Sequence, residues 1–73
     1  MKRIDCRKIK IGECASTYFQ DMAVFCRIDE SRPYTKYVFK HKVGGELNHY
    51  ENGKVYPAEN SVLDLFEIEG LME

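Results

Sequence analysis

Both histidines and two of the three cysteines of this chain lie where they could together bind a zinc ion. His41, His49, Cys14 and Cys26 lie in segments that a strand meander would place side by side. Structural zinc sites usually draw on closely spaced pairs such as Cys-x-x-Cys, and the sequence contains no such pair. We therefore predict no metal site and no cofactor, with His41 a partly buried ring and His49 an exposed strand residue.

One pairing, Cys26 with His41, could support covalent catalysis. Such catalysis needs a nucleophile, a base within hydrogen-bond reach and a group that orients the base. No local motif marks Cys26 or His41 for these roles, and Gly44-Gly45 lacks the further glycine and the lysine of a phosphate-binding turn. We expect a protein that is not an enzyme.

Lysine and tyrosine side chains are better candidates for function, because both can bind a partner from the surface. Five tyrosines and four phenylalanines are more than so small a core is expected to enclose. Surface tyrosine offers a large contact area at low entropy cost. The predicted partner-binding residues are Tyr34, Lys36, Lys40, Lys42, Tyr50 and Tyr56, and Tyr18 is a further tyrosine of this kind. A protein partner is the first interpretation.

Single-stranded nucleic acid is the main alternative partner. Lys36, Lys40 and Lys42 with neighbouring tyrosines resemble the basic groove and stacking platform by which small barrels bind single strands. Against this, eleven Lys+Arg face twelve Asp+Glu, and the acidic end of the chain would repel a polyanion. The same lysines could instead hold a small anionic nucleotide, and a homodimer through the aromatic surface is a further option.

Length and composition fit one small globular domain, residues 1–73, with 44% hydrophobic residues and a net charge of -1. This composition argues against a multi-domain enzyme and a disordered tail. The basic N-terminus is not followed by an apolar stretch, so we expect neither a secretory signal nor a membrane span. An odd number of cysteines is unusual for a small secreted domain and favours a reducing cytoplasm.

Charge is unevenly distributed along the chain. Basic residues dominate positions 1–10, whereas no basic residue follows Lys54 and five acidic residues do. Two explanations stay open. The termini could be neighbours whose charges compensate, or the protein could have a basic and an acidic patch that steer a charged partner.

Turn residues and alternating patterns predict a β meander. Asn52-Gly53 predicts a type I′ hairpin turn between two short strands. Residues 34–43 alternate between an apolar face, with Tyr37 and Phe39, and a basic face. The predicted strands of the meander are 22–28, 34–43, 46–51 and 54–56.

Three further segments complete the prediction. Residues 8–11 alternate and stop at Gly12, which indicates a short strand. Residues 62–68 are apolar enough for a closing strand, and a helix there is the alternative. Residues 15–25 also show helical spacing, so an α+β fold with a helix there, packed on a three- or four-stranded antiparallel sheet, is the alternative. The first interpretation is a mainly β domain, a five- or six-stranded antiparallel meander that closes into a small barrel.

The order of short motifs resembles small uncharacterised proteins of tailed phages and prophages. These motifs are Lys-Ile-Gly-Glu at 10–13, Tyr-Glu-Asn-Gly-Lys-Val-Tyr at 50–56 and Asp-Leu-Phe-Glu at 64–67. Those proteins resemble SH3-like barrels. The resemblance implies a small accessory protein that binds something, and it implies no reaction. Together with the surplus tyrosines and the absence of a catalytic motif, it leads us to expect a non-catalytic module that binds and occludes a host protein.

Overall fold

A computed structural model of the chain describes residues 2–68, and its sheet is a four-stranded antiparallel meander. The strands are β1 (Cys14–Ser16), β2 (Met22–Ile28), β3 (Tyr37–His41) and β4 (Gly45–His49), and their order in the sheet is β1-β2-β3-β4. The described residues contain no helix. The mainly β interpretation is thus confirmed, and the alternative with a helix at 15–25 is wrong.

The inner face of the sheet carries the core. Side chains alternate between the faces of a strand, so Phe25 of β2 and its register partner Phe39 of β3 point to the same side. Their rings stack with centroids 5.1 Å apart, and the ring centroid of Tyr37 lies 6.2 Å from that of Phe25. The buried apolar cluster consists of Ile4, Cys6, Ala15, Ala23, Phe25, Tyr37, Phe39 and Leu65. Residues near both ends of the chain therefore complete a core that the sheet alone could not enclose.

The outer face of β3 differs from the basic, solvent-facing surface that the sequence predicts. Val38 on this face is fully buried, although Lys40 beside it is exposed. Arg27 of β2 pairs with Glu46 of β4 at 3.1 Å, and β3 lies between these two strands. The ion pair therefore crosses β3 and shields part of its outer face.

The Asn52-Gly53 turn reverses the chain, but not as a type I′ turn. Gly53 has a φ of +83°, whereas Asn52 does not, because Gln20 is the only non-glycine residue with a positive φ in the described part of the chain. The N–H of Gly53 donates to the carbonyl of Tyr50, and the N–H of Tyr50 donates to the carbonyl of Lys54, each at 2.9 Å. This is a three-residue loop with glycine at its left-handed position.

Residues 54–56 do not form the strand predicted for them. The N–H of Val55 donates to the carboxylate of Asp64 at 3.2 Å instead of to a neighbouring strand. That carboxylate is buried and also accepts the N–H of Ser61 at 3.1 Å. A side-chain acceptor has replaced the strand partner that the alternating pattern implied.

Residues 8–11 likewise form turns instead of a strand. The N–H of Lys10 donates to the side chain of Glu13 at 2.7 Å, and the N–H of Glu13 donates back to the carbonyl of Lys10 at 2.9 Å. Upstream, the N–H of Lys8 donates to the carbonyl of Asp5 at 3.0 Å. These local bonds use the backbone groups that a strand would offer to a neighbour.

The closing strand predicted at 62–68 is reduced to isolated bridges at Phe66. Phe66 exchanges backbone hydrogen bonds of 2.8 and 3.0 Å with Ser16 at the end of β1, and it also bridges to Arg3. Within residues 2–68 there are thus four strands instead of five or six, and strand pairing does not close the sheet.

Opposite charges of the two ends of the chain face each other. Arg3 pairs with the buried Asp64 at 3.0 Å, and Lys2 lies 3.8 Å from Glu67. The N–H of Glu67 also donates to the carbonyl of Lys2 at 2.8 Å. Of the two explanations for the uneven charge, the structure favours neighbouring segments whose charges compensate.

Candidate functional site

The structure does not bring the six predicted binding residues together. Lys40 lies near the end of β3 and Lys42 in the turn that follows, whereas Lys36 precedes β3 and Tyr34 lies in the loop before it. The four-residue step from Lys36 to Lys40 alone spans about 13 Å along an extended chain. The predicted lysine face is therefore divided between two ends of the sheet.

Tyr50 lies at the end of the sheet that carries Lys36 and Tyr34. It directly follows β4, and because β4 is antiparallel to β3, the end of β4 lies beside the start of β3. Tyr50 is half-buried, whereas Tyr56 is exposed in the irregular segment further along the chain. Tyr34 and Tyr50 thus share an end of the sheet with Lys36, away from the other two lysines.

The opposite end of the sheet carries large apolar side chains that face solvent. The β1–β2 turn and the β3–β4 turn both lie there, because alternate turns of a meander fall at the same end. We call these side chains the hairpin-turn surface, and its members are Tyr18, Phe19, Met22 and Val43. Their exposed fractions are 58%, 66%, 50% and 78%, which is high for residues of these types.

The aromatic pair of this surface is held in place by its turn. The rings of Tyr18 and Phe19 meet edge to face with centroids 5.7 Å apart, and the N–H of Tyr18 donates to the carbonyl of Val62 at 3.3 Å. Gln20 follows with a φ of +66°, and its N–H donates to the carbonyl of Thr17 at 2.9 Å. A left-handed conformation at a residue with a side chain is strained, and such strain clusters at functional sites.

A shallow depression of about 440 Å³ lies beside the hairpin-turn surface. It is lined by Gln20, Asp21, Met22, Val24, Lys40, His41 and Lys42. Met22 and Val24 provide its apolar part, and among residues 2–68 neither Lys40 nor Lys42 has an ion-pair partner. With Asp21 as the one acidic member, the lining has a net positive charge.

A buried pair of histidines lies behind the depression. Nε2 of His41 is 2.8 Å from Nε2 of His49, and the two rings are nearly parallel, with an interplanar angle of 21°. Nδ1 of His49 lies 2.7 Å from the carbonyl oxygen of Gly53. His49 is fully buried, in contrast to the exposed strand residue expected from the sequence, and His41 is 4% exposed.

The hydrogen bonds fix where the protons lie on the neutral pair. The Gly53 carbonyl can only accept, so Nδ1 of His49 carries a proton, and Nε2 of that neutral ring is the acceptor. Nε2 of His41 must then carry the proton that is shared between the rings. Nδ1 of His41 is left as an acceptor without a partner among the described residues.

Burial keeps both rings neutral at pH 7. Loss of hydration lowers the pKa of His41, and it lowers the pKa of His49 to about 4. The hydrogen bond to Gly53 and the negative charge of Asp64 act in the opposite direction at His49, and the neighbouring His41 lowers its pKa further. The pair thus behaves as an uncharged part of the core under ordinary conditions.

Sequence reasoning identified Tyr18 as a surface tyrosine but missed the surface to which it belongs. The signal was available: Tyr18-Phe19 directly precedes the turn at Gln20-Asp21, where two adjacent aromatic residues cannot both face a core. The histidine pair had no comparable signal. His41 and His49 are eight residues apart, and only the β3–β4 turn brings their rings together.

Within residues 2–68, no group of three or more histidine, cysteine or acidic residues is arranged to hold a metal ion. The same residues include no helix with the length and apolar character needed to cross a membrane. Comparison of the chain with protein-family models, with characterised proteins and with solved structures finds no match.

Proposed function

We propose that this chain is a non-catalytic binding module that docks a partner protein on the hairpin-turn surface and the adjoining depression. The single observation that supports this proposal is the exposure of four large apolar side chains on or directly beside the two turns at one end of the sheet. Clustered apolar residues of this kind mark interaction sites on small soluble domains. Aromatic residues and methionine are also the types enriched at protein interfaces.

Rigid aromatic anchors reduce the entropy lost on binding. Tyr18 and Phe19 already contact each other in the free protein, and the bond from Tyr18 to Val62 restrains the turn. Full burial of a side chain such as that of Phe19 against a partner contributes about 1.5–3 kcal/mol. Two or three anchors of this strength are sufficient for a specific complex when the loops that carry them are preorganised.

Charge indicates the chemistry of the partner. Lys40 and Lys42 flank the apolar part of the depression, and Asp21 offsets only one of them. The surface therefore suits a segment that presents an apolar side chain with carboxylates on either side. Electrostatic attraction of this kind contributes mainly to the association rate and to specificity, and it weakens with added salt.

The proposal extends to the setting of the protein. The motif resemblance supports a phage or prophage accessory protein that occludes a host protein in the cytoplasm. Three free cysteines are consistent with a reducing compartment. For the finer fold, an SH3-like barrel is supported by the irregular contact that continues the sheet beyond β1, where Phe66 bonds to Ser16, and by the bond from the N–H of Cys6 to the carbonyl of Glu51, in the loop after β4, at 2.7 Å.

Two other partners would bind to different parts of the protein. Single-stranded nucleic acid would have to extend along β3 to contact both Lys36 and Lys40, which lie about 13 Å apart on an extended strand. A second copy of the chain could instead pair along β4, since within residues 2–68 no further backbone group bonds to its outer edge. Light scattering across a concentration series would reveal the homodimer as a doubled mass.

Affinity capture with matched variants tests the proposal. Phe19→Ser and Met22→Ser remove anchors of the hairpin-turn surface, and Tyr34→Ser removes a 71% exposed tyrosine at the opposite end as the control. We expect the wild type and Tyr34→Ser to capture the same bacterial protein in stoichiometric amount. The anchor variants should bind it with about 2 kcal/mol less free energy, which is roughly thirtyfold in Kd.

The outcome that contradicts the proposal is equally specific. If Tyr34→Ser abolishes capture and Phe19→Ser does not, the binding surface lies at the opposite end of the sheet. If nuclease treatment or added salt removes every captured protein together with bound nucleic acid, the nucleic-acid alternative replaces the proposal. Circular dichroism of each variant checks that the fold is retained.

A further inference from the structure

The Asn52-Gly53 turn joins a chemically reactive dipeptide to the buried core. An asparagine that precedes glycine cyclises readily, because glycine has no side chain to shield its backbone nitrogen from the asparagine carboxamide. The chain contains three asparagines, and only Asn52 precedes glycine. Asn52 is exposed to solvent, whereas Gly53 is buried. The carboxamide is thus accessible to water while its neighbour is held by the fold.

Conversion of this dipeptide needs no reactant other than water. The backbone nitrogen of Gly53 attacks Cγ of Asn52, so an N–Cγ bond forms and the Cγ–Nδ2 bond breaks. The proton of the Gly53 nitrogen leaves with Nδ2 as ammonia, and a cyclic imide remains. Water then opens the imide at Cγ to give aspartate, or at the Asn52 backbone carbonyl to give isoaspartate. One water is consumed and one ammonia is released, with no change in oxidation state.

The turn holds both reacting groups in hydrogen bonds. The N–H of Gly53 donates to the carbonyl of Tyr50 at 2.9 Å, so the proton that has to leave is engaged. Oδ1 of Asn52 accepts the N–H of Lys54 at 3.2 Å, so the carboxamide is restrained as well. Formation of the imide ring rotates the peptide group between Asn52 and Gly53. It therefore has to break the bond to Tyr50.

Contacts on the core side of Gly53 oppose that rotation. The Gly53 carbonyl accepts the N–H of Leu65 at 3.1 Å and lies 2.7 Å from Nδ1 of His49. A Cβ atom at Gly53 would lie 2.8 Å from Cγ2 of Ile4 and 2.9 Å from the Leu65 carbonyl oxygen, so the backbone has no free space beside it. The imide can therefore form only after Gly53 has separated from Ile4 and Leu65.

We propose that Asn52-Gly53 is a self-modification site, which the folded protein keeps closed and which opens when the core around it is lost. Ile4 and Leu65 belong to the buried apolar cluster, so separation from them is a large opening of the structure and not a local fluctuation of a loop. Chains that unfold repeatedly therefore accumulate the modification. This inference concerns the turn and the core alone, and it does not depend on the proposed binding function.

The two products differ in what they do to the fold. Aspartate has the same backbone as Asn52 and retains an oxygen that accepts the N–H of Lys54, so the chain can refold. Isoaspartate adds a backbone carbon before Gly53, which shifts the Gly53 carbonyl away from His49 and Leu65. The space beside Gly53 cannot absorb this shift. Unfolding thus becomes irreversible for the chains that form isoaspartate.

Peptide mapping by mass spectrometry tests the closed state, with the full chain incubated at pH 8 in buffer and in urea above the unfolding midpoint. We expect conversion at position 52 to be at least about a hundredfold slower in the folded protein. Asn48 and Asn60 are internal controls, because they precede histidine and serine and should convert more slowly than position 52 in urea.

A matched pair of conservative variants tests the contact that closes the site. Ile4→Val shortens the side chain that packs against Gly53 and should speed conversion of the folded protein by about fivefold. Ile11→Val, at a 65% exposed isoleucine, should leave the rate unchanged. Equal rates with and without urea would overturn the proposal, and so would equal effects of the two variants.

Refolding after the urea is diluted out tests the fate of the products. Size-exclusion chromatography separates folded from unfolded chains, and labelling by an isoaspartyl methyltransferase detects isoaspartate. We expect aspartate at position 52 in the folded fraction and isoaspartate in the unfolded fraction. Asn52→Gln forms its larger ring slowly, so its refolding yield should not fall with time in urea, whereas the wild-type yield should. Isoaspartate in the folded fraction, or an equal loss of yield in both proteins, would refute the irreversible step.

Discussion

Among the glycines of residues 2–68, Gly53 is the one at which an added methyl group should damage the fold most. A Cβ atom there would lie 2.8 Å from Cγ2 of Ile4, 2.9 Å from the carbonyl oxygen of Leu65 and 3.2 Å from the Cβ of Leu65. The side chain of Ile4 could rotate away, but the Leu65 backbone cannot. The N–H of Leu65 donates to the Gly53 carbonyl at 3.1 Å, and the Leu65 carbonyl accepts the N–H of Ile4 at 3.2 Å.

The expected cost of Gly53→Ala has two sources. A left-handed φ of +83° costs a residue with a Cβ about 1–2 kcal/mol. Overpacking against a fixed backbone adds about 1–3 kcal/mol. Domains of this length have a free energy of unfolding of roughly 4–11 kcal/mol. Gly53→Ala should therefore remove a large part of the stability of the protein.

Gly44→Ala is the matched control, because Gly44 has a similar φ of +94° but no atom within 4 Å of the added Cβ. It should lose only the conformational part, about 1–2 kcal/mol. Urea unfolding followed by circular dichroism and tyrosine fluorescence measures both variants; the chain has no tryptophan. Equal shifts of the two midpoints would refute the steric argument, since only Gly53 is in contact with other segments.

Further predictions concern other buried or strained groups. Because the folded pKa of His49 is lowered to about 4 from 6.5, stability should be complete above pH 6.5 and fall as the pH drops toward 4, as measured by urea midpoints between pH 7.5 and 4.5. Asp64→Ala should lower the free energy of unfolding by about 3 kcal/mol, and more than Arg3→Ala, because Asp64 also accepts two backbone N–H groups. Gln20→Gly should raise the free energy of unfolding by about 1 kcal/mol, because glycine adopts the left-handed conformation at this position without strain. Burial raises the pKa of Cys6 to about 12, so a thiol reagent should modify two cysteines in the native protein and the third only after unfolding.

The fold was accessible from sequence where the local pattern and the tertiary environment agree. Met22–Ile28 was predicted with its observed limits, because the segment is rich in residues that favour strands and lies between two other strands. The predicted strands at 34–43 and 46–51 were also correct in kind, although β3 and β4 are shorter. Each of these strands has a neighbouring strand that forms hydrogen bonds with its backbone N–H and C=O groups.

The incorrect strand predictions share one cause. Residues 8–11 and 54–56 have strand-like patterns, but side-chain acceptors from Glu13 and Asp64 take backbone N–H groups that a neighbouring strand would have used. Periodicity reports which side chains prefer burial, and it contains no information on a competing acceptor elsewhere in the chain. The position of Asp64 relative to Val55 is a tertiary fact.

The sequence by itself favoured a small, mainly β meander, because alternation and turn residues act over a few neighbours, and the structure excluded the alternative helix at 15–25. Only the tertiary structure decided which residues form a surface. It separated Lys36 from Lys40, because a strand extends its residues instead of clustering them. It placed the turn of Tyr18 and Phe19 at the same end of the sheet as the turn of Val43, and it brought His41 onto His49, because both depend on how the strands are ordered and paired.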